Sequence, residues 1–144
     1  MTPRLMPYTH FVRNFCMPVD IPDSLPALTR DLIALRQKPS TEERFKAYPA
    51  MLQRFSDLLA VCEDAAILRE VIALDNGYYL LAGYRQQVLQ KWLALERTPE
   101  VLRLYAMQLF LFGDVDAFGR ADTEVQPRID ALEREADELD RAQE

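Results

Sequence analysis

The segment TPEVLRLYAMQLFLFG, Thr98–Gly113, decides how this chain folds. Its first three residues are a helix start. The Thr98 hydroxyl can accept from an orphan backbone N–H, and Pro99 supplies a helical φ where no N–H is needed. Glu100 then sets a negative charge at the positive end of the helix dipole. Leu102, Tyr105, Ala106 and Leu109 follow at spacings of three and four, so they share one face. With Phe110 they carry the helix to Gly113, where it stops.

The same signals recur upstream. Ser24 caps a helix bearing Leu28, Leu32, Ile33 and Leu35, with Pro26 in its first turn and Pro39 ending it. Ser40 and Glu43 have the spacing of a capping box. Behind them Phe45, Tyr48, Leu52, Phe55, Leu58, Leu59 and Cys62 form one stripe, in which Pro49 forces a kink or a fresh start. Asp64 opens a helix whose apolar side is Ile67, Leu68, Val71, Ile72 and Leu74, and Asn76-Gly77 closes it with glycine left-handed. A longer helix is expected from Tyr78 to Arg97, striped by Leu81, Tyr84, Val88, Trp92 and Leu95. Arg85, Gln86, Gln87, Gln90 and Lys91 fall mostly outside that stripe. Gly83 within it costs ~1 kcal/mol against alanine, which close contact with another helix would offset.

Downstream, a short helix is expected over Val115 to Glu124, and Pro127 resets the chain. A final helix from Arg128 to about Arg141 has a narrow seam of Ile129, Leu132, Ala136 and Leu139. Asp130–Arg134, Arg134–Glu138 and Asp137–Arg141 are i,i+4 charge pairs along its exposed side. No segment alternates like a strand. The fold class is all-α, with six or seven helices in stacked antiparallel hairpins.

The four glycines form two pairs, Gly77/Gly83 and Gly113/Gly119, offset by 36 residues. Leu68/Leu104, Leu89/Val125 and Leu93/Ile129 share that offset, which is close to the period of helix-hairpin repeats. Over residues 98–118 the chain resembles a tetratricopeptide-type repeat. Ala106 stands at the small position of the first helix, Leu102, Tyr105 and Leu109 at large positions, and Gly113-Asp114 at the turn. Residues 63–97 are a poorer copy, with Glu70 where a small residue belongs, and Ala117 sits one place off. A short repeat-like solenoid and an irregular helical bundle both satisfy the pattern. The resemblance implies a concave surface built from outward positions of the first helices. Here these are Glu100, Arg103, Met107 and Phe110, the candidate partner-binding residues.

Composition narrows the function classes. Apolar residues make up 49% and charged residues 28%, the balance of a soluble globular domain. No apolar run approaches the ~18 residues of a membrane span, and no signal core follows Arg4, so the expected address is the cytoplasm. The net charge is −6, and residues 120–144 alone carry nine acidic and four basic side chains. Nucleic acid and anionic membranes are therefore disfavoured partners. Cys16 and Cys62 lack ligand spacing and read as reduced, buried thiols, with a structural disulfide between them the alternative. Cys62-Glu63-Asp64 sets a thiol beside two acids, the opposite of a nucleophile's cationic surroundings. His10 is the single histidine, and no phosphate loop or zinc motif occurs. The expectation is no catalytic residue, no metal and no cofactor.

Residues 1–22 form a proline-rich, apolar arm ahead of one helical domain, 23–144. The leading function is a protein-interaction module, an adaptor or small client chaperone, that grips a partner peptide or helix between hairpins. The alternatives are homo-oligomerisation through the arm and the Ile129, Leu132, Ala136 and Leu139 seam, or a pocket for a small apolar ligand around Tyr84 and Trp92.

Overall fold

A computed structural model describes residues 20–38, 41–116 and 119–144; His10 and Cys16, with nearly all of the expected arm, lie outside them. Among the described residues the chain is all-α, with seven helices and one minimal hairpin.

Helix α1 (Leu25–Gln37) starts on Ser24, whose hydroxyl accepts from the Ala27 N–H at 3.3 Å. Helix α2 (Glu42–Lys46) starts one residue later than the expected box. The Thr41 hydroxyl accepts from the Arg44 N–H at 3.0 Å, while Ser40 lies outside the described residues. Helix α3 (Tyr48–Val61) is the fresh start foreseen at Pro49. Proline has no N–H to offer the Phe45 carbonyl, so the turn at Ala47 separates α2 from α3. Helix α4 (Ala65–Leu74) opens on Asp64, whose carboxylate accepts from the Ala66 N–H at 2.9 Å.

The next helix corrects the sequence reading. Helix α5 spans Ala82–Leu95, not Tyr78 to Arg97. The buried Asp75 carboxylate accepts from the Leu80 N–H at 2.8 Å, which holds the intervening residues as a loop. The left-handed residue there is Tyr78 (φ 59°), not Gly77. Gly83 consequently sits in the first turn of α5, and a Cβ on it would meet Val115 Cγ1 at 3.7 Å rather than a second helix.

Helix α6 (Pro99–Phe112) follows its Thr98 cap as expected, the hydroxyl accepting from the Val101 N–H at 3.4 Å. Gly113 then leaves the helix at φ 71° and ψ −171°, a conformation open essentially to glycine alone. A Cβ there would come 2.6 Å from the Asp122 carbonyl oxygen. The expected helix over 115–124 is instead a hairpin, β1 (Asp114–Val115) antiparallel to β2 (Ala121–Asp122). The Asp116 carboxylate accepts from the Arg120 N–H at 2.9 Å and Gly119 turns at φ 79°, so local turn chemistry outcompetes the helix. Helix α7 (Gln126–Ala142) completes the chain, with Pro127 in its first turn. The glycines offset by 36 residues thus have different backbone roles: Gly83 is helical, Gly119 is in the hairpin.

Helices α6 and α7 make the most extensive contact; α4 packs on α5 and α1, α5 on α6, and α1 on α3. One core joins them, with Leu28, Leu32, Phe55, Leu68, Val88, Leu89, Trp92 and Leu109 essentially inaccessible. Each such side chain contributes about 1.5–3 kcal/mol through burial. Ion pairs step across the helices: Arg30–Glu70 (3.2 Å), Arg69–Glu100 (3.1 Å), and Arg103 to Asp137 (2.9 Å) and Asp140 (2.6 Å). Asp137 thus bonds across to α6 instead of along its own helix to Arg141. Among the described residues no helix is long and apolar enough to cross a membrane.

Candidate functional site

Two features stand out: a buried polar network beneath the α4–α5 loop, and the outward face of α6.

The network starts at Asp75, which is wholly buried. One of its oxygens accepts from Leu80, and Oδ2 lies 3.1 Å from Arg85 Nε on the first turns of α5. That contact is an ion pair without hydrogen-bond alignment, and neither atom has a hydrogen-bond partner among the described residues. Arg85 Nη1 donates to Gln108 Oε1 at 2.8 Å, and Gln108 Nε2 donates to the Ala82 carbonyl at 3.1 Å. The Tyr78 ring lies over the guanidinium, 4.3 Å away, a cation–π contact bought with a left-handed backbone. Alongside, Gln86 Nε2 donates to Asp114 Oδ1 at 2.6 Å and Gln86 Oε1 accepts from the Val115 N–H at 3.0 Å. Asp114 Oδ2 accepts from Arg128 at 2.8 Å.

Burial pushes the Asp75 carboxyl above its ordinary value, although the Leu80 N–H and the Arg85 charge pull the other way. Burial likewise lowers the Arg85 guanidinium, against the charge of Asp75. Hydrogen bonds from Arg128 and then Gln86 hold Asp114 below the usual carboxylate range. The network ties α4, α5, α6, the hairpin and α7 to one another.

A cleft of about 660 Å³ opens over this network, lined among others by Arg69, Glu70, Tyr78, Glu96 and Glu100, with Arg85 and Trp92 in its wall. Its carboxylates are engaged: Glu70 with Arg30, Glu100 with Arg69, and Glu96 with the Trp92 indole N–H at 2.9 Å. The first two of these contacts link neighbouring helices, and the third lies within the end of α5. Tyr84 is not part of it. That ring packs edge-on against Phe55 at 5.7 Å, and among the described residues Tyr84 borders one cleft and Trp92 another.

Four outward side chains of α6 were singled out by sequence: Glu100, Arg103, Met107 and Phe110. All four are exposed, Phe110 at 68% and Met107 at 47%, because Val101, Leu102, Tyr105, Ala106 and Leu109 turn inward. The structure brings three of them together. Arg103, Met107 and Phe110 line a cleft of about 570 Å³ with Ala106 of α6 and Gln126, Ile129, Glu133 and Asp137 of α7. Glu100 faces the other cleft, held by Arg69. Leu111 adds a further exposed apolar side chain to the same helix.

In the C-terminal seam, Ile129 and Ala136 are buried within this chain, and Leu132 and Leu139 are half-buried. Their helix packs on α6, and this contact occupies much of the seam's apolar surface. Cys62 is half-buried, a free thiol 3.7 Å from the Asp64 carbonyl. Among the described residues no cluster of His, Cys, Asp or Glu could hold a metal ion.

Sequence reasoning missed Asp75, Arg85, Gln86 and Gln108. Arg85 and Gln86, expected outside the stripe, are buried. The signal was present for Arg85, which lies three residues before Val88, four before Leu89 and seven before Trp92, on the apolar face. Gln108 likewise sits three residues after Tyr105. Comparison of the chain with protein-family models, with curated proteins and with solved structures finds no match in any of the three.

Proposed function

We propose that this protein is a non-catalytic interaction module, acting in the cytoplasm, that holds a peptide or helix of a partner protein along the outward face of α6. The observation that carries the reading is Phe110 and Met107, exposed side by side in the wall of a cleft. Two large apolar side chains on one exposed helix face raise the free energy of the lone protein, and a partner that covers them recovers it. Methionine suits such a surface because its unbranched thioether adapts to different contours. The tetratricopeptide-type reading is supported by the Arg69–Glu100 ion pair, which links α4 to α6, and by the burial of Ala106 at the expected small position.

The test is affinity capture with a folded variant beside the wild type. Arg103 is a poor choice for it, since its guanidinium already holds Asp137 and Asp140 of α7. Met107→Ser/Phe110→Ser changes the exposed face alone. A defined partner retained by the wild type and lost by this variant, at unchanged melting temperature, supports the reading. Equal retention by both refutes it.

A further inference from the structure

We infer that the partner segment taken by the α6–α7 cleft is a basic amphipathic helix; this rests on the reading of the α6 face as a partner groove. Three observations carry it.

The first is charge. Asp130, Glu133, Asp137 and Asp140 recur at spacings of three, four and three, so they run along one side of α7. Glu133 and Asp137 of that row line the cleft itself. Among the described residues Arg103 is the one cation in the lining, and it is already committed to Asp137 and Asp140 at 2.9 and 2.6 Å. The rim is left with excess negative charge. It attracts a basic segment and penalises an acidic one of the same shape.

The second is the apolar wall. Met107 and Phe110 are one turn apart on α6 and share the cleft lining with Ala106 of the same helix and Ile129 of α7. That spacing suits an apolar stripe at i, i+3 and i+4 on the incoming segment.

The third concerns the backbone. Both walls are α-helices, whose main-chain groups are paired within their own turns. An extended peptide would find no ladder there and would bury its own N–H and C=O groups without partners. A helix satisfies its backbone internally and brings only side chains to the cleft.

The experiment uses the full chain and fluorescence anisotropy with two synthetic helices of ~18 residues, about five turns. Both carry leucine at three-and-four spacing; one has lysine at the remaining positions and its twin has glutamate. The lysine helix is expected to bind at least ~10-fold more tightly, a difference of about 1.4 kcal/mol. Binding should weaken in salt, fall several-fold in Phe110→Ser, and lose its charge preference in Glu133→Lys. Equal affinity for the twins overturns the basic-helix inference and leaves the groove reading standing. Failure of both peptides to bind counts against the groove reading itself. Lysine-helix binding that ignores Phe110→Ser places the contact elsewhere on α7 and also overturns the proposal. A sedimentation mass of two chains that returns to one in Phe110→Ser would make a second copy the occupant, again overturning it.

Discussion

Removing the Arg85 side chain should expose how the buried network is balanced. In Arg85→Met the apolar stem is kept and the guanidinium is lost, so Asp75, wholly buried, loses the one ion-pair partner it has among the described residues. Leaving one member of a buried pair typically costs about 3–5 kcal/mol. The structure supports the same size by a second route. If the orphaned Asp75 folds only as the neutral acid, folding must protonate a group whose reference value is 3.8. At pH 7 that costs about 4 kcal/mol, at about 1.4 kcal/mol per pH unit. Gln108 Oε1 also loses its donor, which adds roughly 1–3 kcal/mol unless the amide finds another.

The pH dependence follows from the sign of the shift. Asp75 is raised on folding, so the folded state holds its proton more tightly than the unfolded state. The penalty in Arg85→Met is therefore largest at neutral pH and shrinks by up to about 1.4 kcal/mol per unit as pH falls toward 5. Urea denaturation at pH 7 and pH 5 reads this out, followed by emission of Trp92, the single tryptophan and fully buried. The double variant Asp75→Asn/Arg85→Met should recover most of the loss, since its amide oxygen can still accept from Leu80 and no charge stays buried. A loss under ~1 kcal/mol at pH 7, or a double variant no better than the single, would refute the reasoning.

Three further outcomes are expected. Gly113→Ala should cost more than ~3 kcal/mol, because a left-handed φ is joined by a backbone oxygen 2.6 Å from the new Cβ; Gly119→Ala, with the same sign of φ and open space, should cost about 1–2 kcal/mol, and thermal melts compare them. Thr98→Ala should cost about 1 kcal/mol in the same assay, since the Val101 N–H loses its cap. Hydrogen bonds from Arg97 hold Glu135 below its ordinary value, and Asp114 is depressed by Arg128 and Gln86. Their stabilisation is complete above the reference values of 4.5 and 3.8 and is lost as pH falls through the lower folded values, so Arg97→Gln should flatten part of the acid limb of a stability–pH curve.

Most helix starts in this protein were determined by sequence alone. Ser24, Asp64 and Thr98 each cap a backbone N–H two or three residues away, and such contacts need nothing from the rest of the fold. The break at Pro49 is local in the same sense. Three-and-four spacing also put Leu102, Tyr105, Ala106 and Leu109 inward, and thereby Arg103, Met107 and Phe110 outward. Only the tertiary structure decided which neighbours those residues have. It set α7 beside Met107 and Phe110 and drew Arg103 to Asp137 across 34 residues of chain. It also reversed the reading of Arg85 and Gln86. A charged or amide side chain reads as solvent-facing until its buried partners are known, and theirs lie on other elements: Asp75 at the end of α4, Gln108 on α6 and Asp114 in β1. Packing the elements together satisfies these groups, and that pairing is what lets them stay inside.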